Sequence, residues 1–193
     1  MIVPRLLLFV DPEPRVGALN MALDEALLQK ASLPILRVYR WRNRAVSFGY
    51  FGRIEEMERD WDGWELVRRW TGGGIVPHAE DFTYTLVVPK AEPFARESAP
   101  ASYRAIHACV AEALAGRVGQ TAALADEAAP KVSNACFQNP AQHDVLLGSE
   151  KVAGAAQRRT QSGLLHQGSI QLAGLDEAFG RALAGKFAGT VEE

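Results

Sequence analysis

Between residues 35 and 88 the chain carries four strand-like runs and no helical period, and this constrains its fold more than any other feature. Residues 35–41 set Leu36, Val38, Tyr39 and Trp41 loosely against Arg37, Arg40 and Arg42. Residues 45–48 form a short run ended by Gly49, and residues 65–69 form another. Residues 82–88 are β-branched and aromatic up to Pro89, which reads as a strand with its stop. Thr71-Gly72-Gly73-Gly74 must be a loop, because three glycines weaken any regular element. Strands that follow one another without intervening helices exclude a regular βαβ sheet. They predict a mixed α+β domain.

The flanks fit that class. Residues 16–30 read as a helix, with Leu19, Leu23, Ala26 and Leu27 as its apolar stripe and Asp24 and Glu25 among its polar positions. Residues 101–117 form a second helix on Tyr103, Ile106, Val110 and Leu114, and residues 175–183 a closing one. Residues 6–10 open the domain as a strand, since Asp11-Pro12-Glu13-Pro14 follows at once and no signal peptide reads that way. Residues 144–147, 150–157 and 164–172 are three more strands, turned at Gly148-Ser149 and Ser162-Gly163, and the Ala-rich stretch 121–130 reads as surface. The length of 193 residues suits a single domain over 1–193, with no C-terminal accessory domain, that buries about 70% of its unfolded surface. No apolar run reaches about 18 residues, so no membrane partner is expected. A net charge of -2 speaks against a nucleic-acid partner. Two cysteines, Cys109 and Cys136, make neither a disulfide framework nor a metal site, and a reducing, cytoplasmic location is expected.

Four places carry candidate chemistry. Arg68-Arg69-Trp70-Thr71-Gly72-Gly73-Gly74, followed by His78, could bring backbone N–H groups and a guanidinium fork to an anion or a carbonyl; the alternative is a glycine hairpin with solvated arginines. Lys151, one of only five lysines against 16 arginines, precedes the small residues Ala153, Gly154, Ala155 and Ala156. These could line a narrow slot with an ammonium at its mouth, or form an ordinary strand with an exposed Lys. Cys136 lies in a loop context, Asn134-Ala135-Cys136-Phe137, and is a nucleophile where something stabilises its thiolate; otherwise it is a small buried hydrophobe. Cys109 sits beside Ile106 and Val110 and reads as core. His166, in Leu165-His166-Gln167-Gly168-Ser169, is either structural or part of a binding strand that Gly168 lets a ligand approach.

The order of these segments decides more than any one of them. Residues 20–25, 45–51, 68–74 and 81–84, then Asp144, residues 151–157 and residues 166–169, together resemble the lipoate–protein ligase and octanoyltransferase family over about residues 5–185. The resemblance implies a biotin/lipoate ligase catalytic domain related to class II tRNA synthetase cores: a mixed β-sheet with helices packed against one face and a medium acyl chain in a tunnel beside it. It implies that Gly72, Gly73 and Gly74 lie along the acyl group and that Lys151 meets its carbonyl end. Arg69, Thr71, His78, Asp144, Gly154, Ala155, His166 and Gly168 complete the implied substrate-binding set.

Two reactions share that fold. Ligases activate free lipoate with ATP and Mg²⁺ to an acyl-adenylate. Transferases move octanoyl from acyl carrier protein through a cysteine thioester, with no cofactor, to a lysine of a lipoyl domain of a 2-oxoacid dehydrogenase or of glycine-cleavage H protein. Cysteine-dependent members resemble this chain in carrying Cys-Phe ahead of the Lys motif, and Cys136 and Lys151 are 15 residues apart here. His166-Gln167-Gly168-Ser169 departs from the ligases' His-His-Gly-Thr. The chain also ends soon after its last helix, where many relatives continue. The expectation is therefore an octanoyltransferase with Cys136 and Lys151 as catalytic residues. An ATP-dependent ligase and a non-catalytic acyl- or carrier-binding module are the alternatives.

Overall fold

The computed structural model describes residues 1–56, 60–127 and 141–193. Among these, eight strands make one sheet: β1 (Val3–Val10), β2 (Ile35–Tyr39), β6 (Phe82–Pro89), β7 (Ala122–Leu124), β8 (Val145–Leu147), β9 (Glu150–Arg159), β10 (Gly163–Ile170) and β11 (Ala188–Glu192). Their order is β11-β1-β2-β6-β10-β9-β8-β7. β1 runs parallel to both its neighbours and every other pairing is antiparallel, which confirms the mixed sheet. A second sheet holds β3 (Ala45–Phe48) between β4 (Glu65–Arg68) and β5 (Ile75–His78). β6 and β10 are buried at every position, because they lie mid-sheet with both faces covered.

The helices cover both faces, not one. α2 (Ala99–Val118) and α3 (Glu177–Phe187) pack with Leu36, Val38, Leu86, Val88 and Leu164. α1 (Gly17–Lys30) puts Leu28 against Ile35, Val87 and Leu165, the residues of opposite parity. Alternate residues of a strand point to opposite faces, so α1 lies across the sheet from α2 and α3. Met21 of α1 also packs with Val67 of the small sheet. The start of α2 comes earlier than its apolar period suggests, because Ser98 caps it by accepting the Ala101 N–H.

α1 is turned differently from its apolar stripe. Leu19 is 40% exposed, whereas Gly17, Asn20, Met21, Asp24 and Leu28 face inward. The cause is Arg37 of β2, which is fully buried and demands polar partners; Asn20 and Asp24 supply them. Three strands escape sequence reading. β5 contains Pro77, which only an edge strand tolerates, and β11 follows α3 without a break. β7 lies within the stretch read as surface, as an edge strand.

Candidate functional site

The triple-glycine loop crosses the α1 face of the sheet, and two tethers hold it there. The first starts at Thr71, whose Oγ1 donates to Gln167 Oε1 at 2.8 Å. Gln167 Nε2 donates to Asp24 Oδ2 at 2.7 Å. Asp24 also receives Thr85 Oγ1 at 2.7 Å, Tyr39 Oη at 3.3 Å and Arg37 Nη1 at 2.7 Å. Arg37 Nη2 reaches Asp11 Oδ2 at 2.9 Å. The second tether is Arg69. Its Nη2 donates to the carbonyls of Gly72 at 3.0 Å and Gly74 at 2.9 Å, while its Nη1 donates to Ser47 O and Oγ, each at 2.8 Å. Between the two held carbonyls Gly73 has φ +90°, a left-handed conformation that glycine adopts without strain. Gly49 has no room for a side chain either, since a Cβ there would strike the Gly73 carbonyl.

His78 adjoins this loop through Ser47. Ser47 Oγ lies 2.6 Å from His78 Nε2, and His78 Nδ1 lies 2.8 Å from Asp81 Oδ2. Trp41 stacks on the His78 ring, 4.0 Å between centroids and 16° from parallel. Ser169 Oγ donates to the same Asp81 oxygen at 2.6 Å, and Ser169 pairs with Gly154 across β9 and β10. That pairing links His78 to the Lys half of the site. There Lys151 Nζ lies 2.7 Å from Asp144 Oδ2, with both side chains about 95% buried, and Asp144 also accepts the Ala141 N–H at 2.6 Å. Gly154 leaves the space that the Lys151 tip fills. A cavity of about 330 Å³ opens between α1 and the loop, lined by Ala18, Met21, Ala22, Val67, Arg69 and Trp70.

Backbone direction sorts the two strand glycines. Gln171 N–H donates to Val152 O, and Gly163 and Thr160 exchange both bonds, so residues of odd number in β10 bond to β9. The alternation of an antiparallel ladder then sends the Gly154 N–H to Ser169 and the Gly168 N–H to Tyr84. Both are spent in the sheet. The Ala155 N–H points the other way, to the side where pairing with β8 ends at Val145 and Ala153.

His166 does not join the loop. It faces α2, where Gln157 Nε2 donates to its Nδ1 at 3.0 Å and Tyr84 Oη lies 3.2 Å from its Nε2. Gln167 takes the place beside Thr71 instead. The His107 ring meets His166 edge-on, 5.4 Å between centroids. Burial pushes both histidines below their ordinary values, and for His166 the neighbouring His107 adds to it. Burial raises Asp24 above its ordinary value despite Arg37, Thr85 and Gln167. Burial works on Asp81 in the same sense, but His78, Ser169 and Thr83 outweigh it and hold Asp81 low. Burial pushes Tyr103 up to about 12. Cys109 is buried against the helices, as its spacing predicts, while Cys136 lies outside the described residues. Among the described residues no cluster of His, Cys, Asp and Glu could hold a metal ion.

Sequence reading missed Asp11, Arg37, Ser47 and Gln167. The available signal was the charged residue inside an otherwise apolar strand, since Arg37 sits between Leu36 and Val38.

The family model for the lipoyl protein ligase A/B catalytic domain matches residues 17–191. Among curated proteins, the octanoyltransferase LipM of Macrococcus caseolyticus is 34% identical over 189 residues, covering 89% of this chain and 68% of that protein. The LipM of Oceanobacillus iheyensis is 36% identical, covering 85% and 63%. The chain thus spans about two thirds of the length of the curated relatives it matches. Among solved structures, lipoate-protein ligase A bound with ATP superposes with a TM-score of 0.69 at 22% identity, over 100% of this chain and 90% of that one. A bipartite lipoate protein ligase from Thermoplasma acidophilum superposes with a TM-score of 0.61 at 25% identity, over 97% and 72%. The family model matches most of the chain, the relatives are acyltransferases by name, and the chain belongs to the lipoyl protein ligase A/B catalytic domain family.

Proposed function

We propose that this chain transfers an octanoyl group from acyl carrier protein, through a thioester on Cys136, to a lysine of a lipoyl domain or of glycine-cleavage H protein. The observation that carries the reading is the pinned glycine loop beside an apolar cavity, in a chain whose relatives are named octanoyltransferases. The cavity walls of Ala18, Met21, Ala22, Val67 and Trp70 suit an aliphatic chain, and Glu25, Arg68 and Arg69 are its charged lining. Arg69, Thr71, Gly72, Gly73, Gly74 and Gly154 would shape that slot, with the Ala155 N–H as the donor for the acyl oxygen, since the Gly154 and Gly168 N–H groups bond within the sheet.

The Cys136 thiolate would attack the carrier thioester. The carrier leaves as a thiolate that takes up the proton Cys136 lost on ionising, and an octanoyl-Cys136 thioester remains. The acceptor amine then displaces Cys136, forming an amide and returning the thiol. One thioester replaces another and an amide follows, so the sequence needs no ATP. A free thiol near pKa 8.5 is only a few per cent thiolate at neutral pH. An ammonium within about 4–6 Å lowers such a value by roughly 1–3 units, and this is the part given to Lys151. Asp144, 2.7 Å from that ammonium, offsets some of the effect.

The test is intact mass after mixing with octanoyl-acyl carrier protein. An octanoyl adduct that Cys136→Ser abolishes in a well-folded protein supports the transfer. Modification of a lipoyl domain by free lipoate and ATP, surviving Cys136→Ser, makes the chain a ligase instead. Neither reaction leaves an acyl- or carrier-binding module.

A further inference from the structure

Serine, histidine and aspartate stand in hydrogen-bonded order at Ser47, His78 and Asp81, as they do in hydrolases. Ser47 is nevertheless no nucleophile. It is fully buried, and its oxygen accepts the Arg69 guanidinium. We propose that Asp81, His78 and Ser47 are positioning residues that fix the Arg69 guanidinium and, through it, the direction of the Gly73 N–H. The inference rests on the proposed reading of the glycine loop as a wall of the acyl site.

Each link is directional. Arg69 can only donate, so Ser47 Oγ accepts from it, and toward a neutral His78 protonated on Nδ1 the Ser47 hydroxyl is the donor to Nε2. His78 then carries its proton on Nδ1 and gives it to Asp81 Oδ2. Asp81 cannot turn away, because Thr83 Oγ1 at 3.0 Å and Ser169 Oγ at 2.6 Å hold the same oxygen. The His78 ring cannot swing, because Trp41 stacks on it and is itself anchored by Nε1 on Thr83 Oγ1 at 2.8 Å. At the far end, Arg69 draws the Gly72 carbonyl inward. In a planar trans peptide the N–H opposes the C=O, so the Gly73 N–H is turned outward, away from the guanidinium. Gly73 also lies against β9, since a side chain at that glycine would come within 3.6 Å of the Ala156 Cβ.

The experiment is a cycle of Ser47→Ala and Arg69→Lys, with Ser47→Thr as the variant that keeps the hydroxyl. Three readouts are octanoyl-transfer kinetics, amide hydrogen exchange of segment 70–76 and thermal melting. We expect Ser47→Ala to cut kcat/KM about tenfold in the native background and less than about twofold on top of Arg69→Lys, the non-additivity of residues acting through one group. Segment 70–76 exchanges faster in Ser47→Ala and at the native rate in Ser47→Thr. Equal losses in both backgrounds, or unchanged exchange in Ser47→Ala, overturn the positioning chain. Asp81→Asn serves as a second entry into the chain, and if it does not fold, Ser47→Ala, which removes a single hydroxyl, decides alone. A native protein that transfers no octanoyl refutes the proposed reaction, and the exchange data then still decide the chain.

Discussion

Gly154→Ala puts one methyl group where the Lys151 tip now rests. Its Cβ would lie 2.9 Å from Lys151 Cε, 3.1 Å from Nζ and 3.3 Å from Asp144 Oδ1. A lysine tip normally yields easily, but this one is held on Asp144 at 2.7 Å and is 5% exposed. Retreat by about half an ångström widens the ion pair to about 3.2 Å. At an effective dielectric constant of about 20 the attraction then falls from about 6 to about 5 kcal/mol, a loss of about 1 kcal/mol. Replacing glycine by alanine also stiffens the unfolded chain, which stabilises by about 0.4–1 kcal/mol. The net change in the native background is therefore close to nothing. With Lys151→Ala, where no tip remains to collide, Gly154→Ala becomes stabilising. Urea unfolding of the two single variants and the double variant measures the difference as a coupling of about 1 kcal/mol. A coupling below about 0.3 kcal/mol, the noise of additive sites, refutes the claim that Gly154 exists to seat the Lys151–Asp144 pair.

Gly168→Ala is a harsher change, because its Cβ would fall on the Tyr84 ring, which is fully buried and sits against His166. It should destabilise by more than the usual 1–3 kcal/mol of overpacking, and a native melting temperature would show that the strands can part there. Stability should fall below pH 6.5. The folded state holds His107 and His166 neutral while the unfolded chain takes up their protons, at about 1.4 kcal/mol per pH unit for each histidine until its lowered folded value is reached. The urea midpoint at pH 5.5 should therefore lie below that at pH 7.5 and His166→Gln should narrow the gap; an identical gap in the variant contradicts this assignment.

The long, strongly biased segments were legible in the sequence. β6 reads as a buried strand from its β-branched and aromatic run, and α2 from its four-residue period. The triple-glycine loop and Lys151 were legible as motifs; the structure sets the loop against Ala156 of β9 and pairs Lys151 with Asp144. What failed was the orientation of α1. Amphipathic reading assigns apolar residues to the inside, but the inside here contains a guanidinium, so Asn20 and Asp24 turn inward and Leu19 turns out. Such a choice depends on a partner in another element and has no local signature. The face taken by His166 was illegible for a related reason: a shift of one position in a strand exchanges the faces, and Gln167, not His166, bonds to the loop.

The parallel pairing of β1 with β11 has a consequence for self-association. β11 is the outermost strand, paired with Val3, Arg5, Leu6 and Leu7 of β1, and it reaches that place only after the elements between them have been made. Until then, or whenever β11 peels off, β1 presents an open backbone edge within an apolar run, a template for strand addition from a second copy. Closing so long a loop is slow and entropically costly, so the exposed edge persists during folding. The Arg5–Glu192 pair that fastens β11 is solvent-exposed and screened by salt, and cannot hold the strand by itself. Protection falls to α3, whose Phe187 is fully buried immediately before Ala188, so the docking of that helix, more than the strand's own hydrogen bonds, keeps the molecule from growing along its sheet.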